Sequence, residues 1–556
     1  MSEVSILNGY KIKDKKAIRF YDTVDDMKND STLKEGMHVK TKGYYSVNDG
    51  GGAEYYITAT QSNSDYQEEL ENDLYATLII NDDINVKQLG AYGNGENDDT
   101  SFLNNALLLG YLKEKNVYIP DGTYNISSPL IIYGCEVPTK RGNKVYGDTM
   151  GSPKLVAITN ELTEIIQIKA YGDYERASHI FLSNIALYGD NKAVNGITIK
   201  SVLTSSVFEN ISINDCTGAG IGKDSTPDVY LDTFRKIRCF RCGTGIKLND
   251  GNNTSLRIVD CYMMGCTNGY HISSSYSNLT NCCADSISNY VYNMNYFTGV
   301  LINCASESPE AKYVYLFSHA TATLIQPWAY GNPTDSTSAQ IALDADSHVV
   351  VEGGRLLLGA SSITEYPGKL FTLGSSCSIE LNNVSSNKYA SKDAINIDRP
   401  ITSNNSFGLV TQRDNGRMAY IGRDTVATGG LLNNKNDNDN IKANAIYFGL
   451  GTSYRYMEDG TDLQYARKNV KGDILLTRKP LEVGGIGWVQ AEDVLENSGA
   501  TWNSGTFLKI PVVMSGSTAN RPTTNLTAGQ MYLDTTLIKP IWWTGSRWID
   551  STGTTV

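Results

Sequence analysis

The chain has 556 residues, 40% hydrophobic and 19% charged, a composition that excludes a disordered polymer and suits several domains or one long solenoid with appendages. Its net charge of −12, with no Lys/Arg-rich run, excludes a generic nucleic-acid binder, while leaving room for a local basic patch that would take a polyanion. No run of about eighteen apolar residues is present to insert in a membrane, and the polar start from Met1 to Tyr21 has no apolar core of signal-peptide length.

Runs of four to seven Thr, Ile, Val and Tyr residues between Gly, Asn, Asp and Ser recur along the chain, so the fold class is all-β. Residues 1–82 read as a separate module. Within it Phe20 to Met27 marks a short helix start after a strand, Gly43 to Gly52 a strand and a turn, and the charged stretch Ser62 to Asp73 a loop. The segment Val86-Lys87-Gln88-Leu89-Gly90-Ala91-Tyr92-Gly93-Asn94-Gly95-Glu96-Asn97-Asp98-Asp99-Thr100 then leads into an apolar-periodic helix, expected at 101–113. Asp99 or Thr100 is positioned to cap its free N–H groups, and the Asp98-Asp99 pair is read as a cap and turn rather than as catalytic acids. Short strands follow, around Val117-Tyr118-Ile119 and Leu130-Ile131-Ile132.

The middle of the chain is periodic. Cys216, Cys239, Cys261, Cys282 and Cys304 are separated by 23, 22, 21 and 22 residues, and Gly196-Ile197, Gly220-Ile221, Gly245-Ile246 and Gly269-Tyr270 recur beside them. A period of that length in strand-rich sequence marks stacked coils, hence a right-handed parallel β-helix over 83–404. The five cysteines are expected to form one ladder of reduced, buried thiols about 4.8 Å apart, with a disulfide as the alternative and metal binding disfavoured. Beyond 405 the coil pattern fades. Residues 405–510 read as a β-rich region with strands near Phe407, Ala445 and Asp473 and a solvated run Asn433 to Asp439; residues 511–556 form a small module. That module holds three of the six Trp, as a small core or as a stacking surface for sugars.

Counting three residues on from each ladder cysteine gives Ala219, Cys242, Met264, Asp285 and Glu307. Two carboxylates at one offset in consecutive coils would be vertical neighbours. Their mutual repulsion would hold one protonated and one ionised, the division that glycoside cleavage requires. Asp285 and Glu307 are therefore the candidate catalytic residues; groove lining and plain solvation are the competing readings. Arg257, Asp260, His271, Tyr290, Tyr292 and Tyr296 are candidates for holding the substrate, Arg257 through a carboxylate or phosphate and the tyrosines through sugar faces. Asn281 and Asn303 are expected to bond one another along the stack. No nucleotide loop, metallopeptidase helix or nucleophile elbow is present, and neither a cofactor nor a metal is expected.

The opening from Val86 to Leu112 resembles that of the pectate-lyase-like β-helix proteins of bacteriophage tails, where a glycine-rich turn, Asp-Asp-Thr and a capping helix precede the first coils. The resemblance extends more loosely from about residue 84 to about 400. Ala284-Asp285 with Glu307-Ser308, and the C-terminal module, also resemble tail proteins of this type. The resemblance implies a virion-borne homotrimeric tailspike that attaches to the phage tail or baseplate through residues 1–82. It would bind or cleave a polysaccharide or teichoic-acid-like polymer of the host surface. A non-catalytic receptor-binding fibre and a polysaccharide lyase are the alternatives.

Overall fold

The computed structural model describes residues 18–135, 142–331, 338–358, most of 369–386 and, apart from 525 and 527, 514–556, with backbone-only strands elsewhere. They fall into two compact units, Met1–Ile325 with Ala329–Gly331, and Gln326–Trp328 with Asn332–Val556.

The first unit begins with a five-stranded sheet in the order Arg19–Tyr21, His38–Thr41, Glu54–Thr58, Tyr75–Leu78, Gln67–Glu69. Alternation along these strands sends Val39, Tyr55, Ile57, Ala76 and Leu78 inward, where they bury Val24 and Met27 of the helix Val24–Lys28. Thr23 and Asp26 form a reciprocal capping box at the start of that helix. Two expectations fail here. Residues 43–50 form a loop instead of a strand, because Asp49 gathers the N–H groups of Tyr44, Tyr45, Ser46 and Gly51 and bends the chain. The 62–73 stretch contains the edge strand Gln67–Glu69, whose buried Glu68 accepts from the hydroxyls of Tyr44 and Tyr66 and pairs with Lys28.

The capping helix spans Thr100–Lys113 and packs on the strand Leu130–Gly134. Asp99 stands at its N-cap position without capping it: the Asp99 carboxylate turns back to accept from the N–H groups of Tyr92 and Gly93 in the glycine turn. Asp98 takes the helix start instead, accepting from Thr100 N–H at 3.0 Å and from the Ser127 hydroxyl. The acidic pair thus ties the turn, the helix and the first coil together.

The body is a parallel β-solenoid. Each coil contributes to three strand stacks, here A, B and C. Stack A contains Arg257–Val259, Ser277–Thr280, Thr298–Ile302 and Thr321–Ile325. Stack B contains Tyr262–Met264, Cys283–Asp285 and Ala305–Glu307. Stack C runs through eight strands of this unit, from Leu130–Gly134 to Tyr313–Ser318. In earlier coils A and B are one bent strand, as in Val207–Asn214 and Thr233–Phe240. In six successive coils a left-handed residue makes the bend between A and B: Asn184, Asn210, Lys236, Asp260, Asn281 and Asn303, with φ between 50 and 58°. Asn and Asp accept this conformation at low cost because their short side chains bond locally. The expected bond between neighbouring asparagines is present: Asn303 Nδ2 donates to Asn281 Oδ1 at 3.2 Å, and Asn281 Nδ2 to Asp260 Oδ1 at 3.1 Å.

The single five-cysteine ladder is not what forms. Cys261, Cys282 and Cys304 follow Asp260, Asn281 and Asn303 at the A–B corner and continue a column begun by Ile211 and Ile237. Cys216, Cys242 and Cys266 belong to the other corner, after Asp215, Arg241 and Gly265. Cys239 lies within a strand, over Ile213 and under Met263. All ten cysteines are free thiols and nine are buried. Inside stack C, Tyr270, Tyr292 and Tyr315 stack with ring centroids 5.0 Å apart at each step, a packing that adds about 0.5–1.5 kcal/mol per pair beyond area burial.

The second unit has parallel stacks of its own, among them His348–Glu352, Ser378–Asn382 and Ile401–Asn404. Between them and the C-terminus, backbone strands at Leu409–Gln412, Ala445–Phe448 and Ile474–Thr477 lie where strands were expected, whereas the Asn433 to Asp439 run lies outside the described residues. The C-terminal four-stranded sheet closes on Tyr532, Ile541 and Trp548. Trp543 packs partly against this core, while Trp542, its strand neighbour, points to the opposite face.

Candidate functional site

Stack B supplies the candidate site. Its strands are three residues long, so the central residue faces the core and the outer two face solvent. Met263, Ala284 and Ser306 are buried, flanked by Tyr262 and Met264, Cys283 and Asp285, Ala305 and Glu307. The register places Met264, Asp285 and Glu307 directly over one another, with Phe240 below. The parallel column Arg238, Tyr262, Cys283, Ala305 runs beside it. Asp285 and Glu307 are therefore in-register neighbours on adjacent parallel strands, with backbones about 4.8 Å apart.

The two carboxylates are held differently. Asp285 is half-buried; its Oδ1 accepts from the Ser286 hydroxyl at 3.0 Å, and its Oδ2 lies 3.5 Å from the Tyr262 hydroxyl, at the outer limit of a hydrogen bond. Burial, then the charge of Asp285, pushes the Tyr262 phenol up, so it stays a neutral donor facing that carboxylate. Glu307 is exposed. The neighbours beside the pair, Cys283 and Ala305, are small, which leaves open surface against the carboxylates.

The other predicted site residues do not gather round this pair. Arg257 is exposed on stack A, over Thr233 and under Asn278, before the A–B corner. Asp260 is a corner residue whose carboxylate starts the asparagine ladder. His271 lies on stack C between Lys247 and Asn293. Its ring meets Tyr290 edge-on at 5.6 Å, with Nδ1 3.4 Å from the Tyr290 hydroxyl. Burial, then the charge of Lys247, keeps His271 below its ordinary pKa.

Tyr292 cannot offer a face to a sugar. It is wholly buried between Tyr270 and Tyr315, with its hydroxyl 2.7 and 2.8 Å from the carbonyl oxygens of Cys282 and Ala305. The reason is the period of two: in stack C, Tyr292 shares its side with the core residue Met294, whereas Asn293 and Asn295 lie on the other side. Tyr296, in a turn, is the exposed ring, stacked on His319 at 4.5 Å. Sequence reading missed Arg238, Phe240 and Tyr262. Counting from the left-handed corner residue, instead of from cysteine, places all three in the two outward columns.

A separate cleft of about 340 Å³ lies between residues 61–69 and the capping helix, floored by Leu108, Leu109 and Leu112. Its lining belongs to the N-terminal sheet and the cap, several coils before Asp285. Among the described residues no group of three or more His, Cys, Asp or Glu is arranged to hold a metal ion, and no helix is long and apolar enough to cross a membrane.

With the geometry in place, comparison with known proteins agrees on the fold. Residues 83–170 match the family model for rhamnogalacturonase A/epimerase, pectate lyase-like. The tailspike gp42 of Acinetobacter phage vb_AbaP_AS12 superposes with a TM-score of 0.58 at 13% identity, covering 87% of this chain and 90% of its own. The fold is that of a phage tailspike. The tailspike of Acinetobacter phage vB_ApiP_P1 gives 0.47 at 11% identity over 88% and 92% of the two chains. Tailspike protein 4 of bacteriophage CBA120, in its enzymatically active domain, gives 0.45 at 13% identity over 84% and 63%. No curated protein matches. A shared fold does not by itself assign a function.

Proposed function

We propose that this protein is a phage tailspike that binds and hydrolyses a polysaccharide or teichoic-acid-like polymer on the host surface. The observation that supports it most directly is the in-register Asp285–Glu307 pair on a solvent-facing strand stack, beside two small residues. Cleavage of a glycosidic bond needs one carboxyl group to protonate the leaving oxygen and a second to act as nucleophile or to activate water, within roughly 5–9.5 Å of each other. Backbones about 4.8 Å apart on adjacent rungs are compatible with that range for two carboxylates. Asp285 is the oriented member, beside the Ser286 and Tyr262 hydroxyls; Glu307 is the exposed one.

The test is release of reducing ends or phosphate from host envelopes by purified protein. Asp285→Asn and Glu307→Gln should each lower the rate at least a hundredfold while binding persists. Release unchanged in both variants would move the chemistry elsewhere, and binding without release by the wild type would make the protein a receptor-binding fibre. Residues 1–82 as the tail-attachment module and a homotrimeric assembly belong to the same reading. Light scattering of the purified chain checks the latter, three times 60.9 kDa being the expected mass.

A further inference from the structure

We infer that the polymer is anionic and that Arg238 reads one of its acidic groups, two rungs from the Asp285 carboxylate; this deepens the proposed function and rests on it. Arg238 heads the outward column that continues through Tyr262 and Cys283 to Ala305, beside the column that carries Asp285 and Glu307. Two rungs correspond to about 10 Å along the axis, so a chain lying on stack B with its scissile bond at the carboxylates would bring a nearby unit over Arg238.

The surroundings of Arg238 mark it as a recognition group. The same coil carries five cations, Arg235, Lys236, Arg238 and Arg241 with Lys247, in a protein of net charge −12. Two of them are neutralised from the coil below, Arg235 by Glu209 at 2.6 Å and Arg241 by Asp215 at 2.6 Å. Lys236 lies beneath Asp260 at the corner. Arg238 is exposed and, among the described residues, its guanidinium has neither an ion pair nor a hydrogen bond; the residue over it is Tyr262 and the residue under it Ser212. A guanidinium left unpaired beside aromatic rings presents a planar fork suited to a carboxylate or phosphate. Phe240 and Tyr262, edge-on with centroids 6.3 Å apart, supply the apolar surface on which the intervening sugar ring would rest. An acidic group at the carboxylates themselves would be repelled, which places it away from the scissile bond. One strip of stack B thus carries a cation, two rings and two acids in sequence, the layout for a charged repeating unit.

The experiment uses the full chain carrying both Asp285→Asn and Glu307→Gln, which binds without turnover, to capture polymer from surface extracts of a panel of bacterial strains. Captured polymer is assayed native, carboxyl-reduced, and dephosphorylated with hydrofluoric acid. The expected result is that one treatment weakens binding at least tenfold, and the treatment that does so tells carboxylate from phosphodiester. Adding Arg238→Gln should weaken the native polymer by the same factor, with no further loss on the treated one, and Arg238→Lys should recover part of it. A neutral captured polymer, equal binding of treated and native polymer, or unchanged binding in Arg238→Gln would overturn the inference. If wild type cleaves a neutral polymer and Glu307→Gln does not, the catalytic reading stands and this one falls. If no strain yields a ligand, both fall.

Discussion

Asp232 gives the sharpest quantitative test of the solenoid interior. It is fully buried where the chain enters the strand Thr233–Phe240. Its Oδ1 accepts from Ser206 N–H at 2.6 Å, while Oδ2 has no partner. Burial raises its pKa from 3.8 to about 8, against the opposing effect of the Ser206 and Tyr230 backbone bonds. The folded state therefore holds a proton that the unfolded chain releases near pH 4. Between about pH 4 and pH 8 the unfolded state binds fewer protons, so stability falls as pH rises, by about 1.4 kcal/mol per unit. Over that window the loss is about 6 kcal/mol, flat below it and flat again above it. Asp232→Asn keeps the shape and the acceptor for Ser206 but cannot ionise. Its stability relative to wild type should be near zero at pH 4 and rise steadily to several kcal/mol by pH 8. Denaturant unfolding of both proteins across that range reads the difference, in which the other titrating groups cancel. A difference independent of pH, or an Asn variant less stable at pH 8, would refute the reasoning.

The core and the corner give two further expectations. Tyr292→Phe leaves two carbonyl oxygens without the shared hydroxyl inside the stack and should cost about 1–3 kcal/mol, whereas Tyr296→Ala, at an exposed ring, should cost under about 1 kcal/mol; denaturant midpoints compare them. Asn281→Gly keeps the left-handed bend and loses only the ladder bonds, while Asn281→Val must also force a branched residue to φ 52°. The valine variant should be less stable than the glycine variant by about 1–2 kcal/mol, and equal loss in both would assign the corner's stability to the side-chain ladder alone.

What the sequence disclosed and what it hid follow from one distinction, between a recurring residue type and a recurring position. The period of the middle region was legible because every coil must return to the same corner, and any repeated small buried residue betrays the return. Cysteine was a poor anchor. It occupies two corners and a strand centre, so Cys239, three residues past its own corner residue Lys236, was matched with Cys261, which directly follows the corner residue Asp260. Offsets counted from it correctly aligned only Met264, Asp285 and Glu307, because Cys261, Cys282 and Cys304 do share a corner. The carboxylate pair was thus found from the part of the series where the register was true. Tyr292 was misjudged for a related reason: aromaticity suggests a groove, but its core-facing side assigns it to the interior, while Asp260 proves to be an exposed corner residue at φ 54°.

Under the proposed function, the left-handed corner also explains how a reactive surface would sit on so plain a scaffold. Asp285 and Glu307 each stand four residues on from the corner, from Asn281 and from Asn303. The corner asparagines bond one another, and the strands after them are fixed by ladder bonds on both sides. Coil length varies at other places, through the loops joining stack B to C and C to the next A, so insertions there leave the distance from corner to carboxylate untouched. Selection acting on outward residues of stack B can therefore exchange Arg238, Phe240, Tyr262 or Cys283 without moving Asp285 relative to Glu307. Under the proposed function, recognition and chemistry would then evolve on one strip with separate side chains, because the rung spacing that separates the two carboxylates is a property of the backbone.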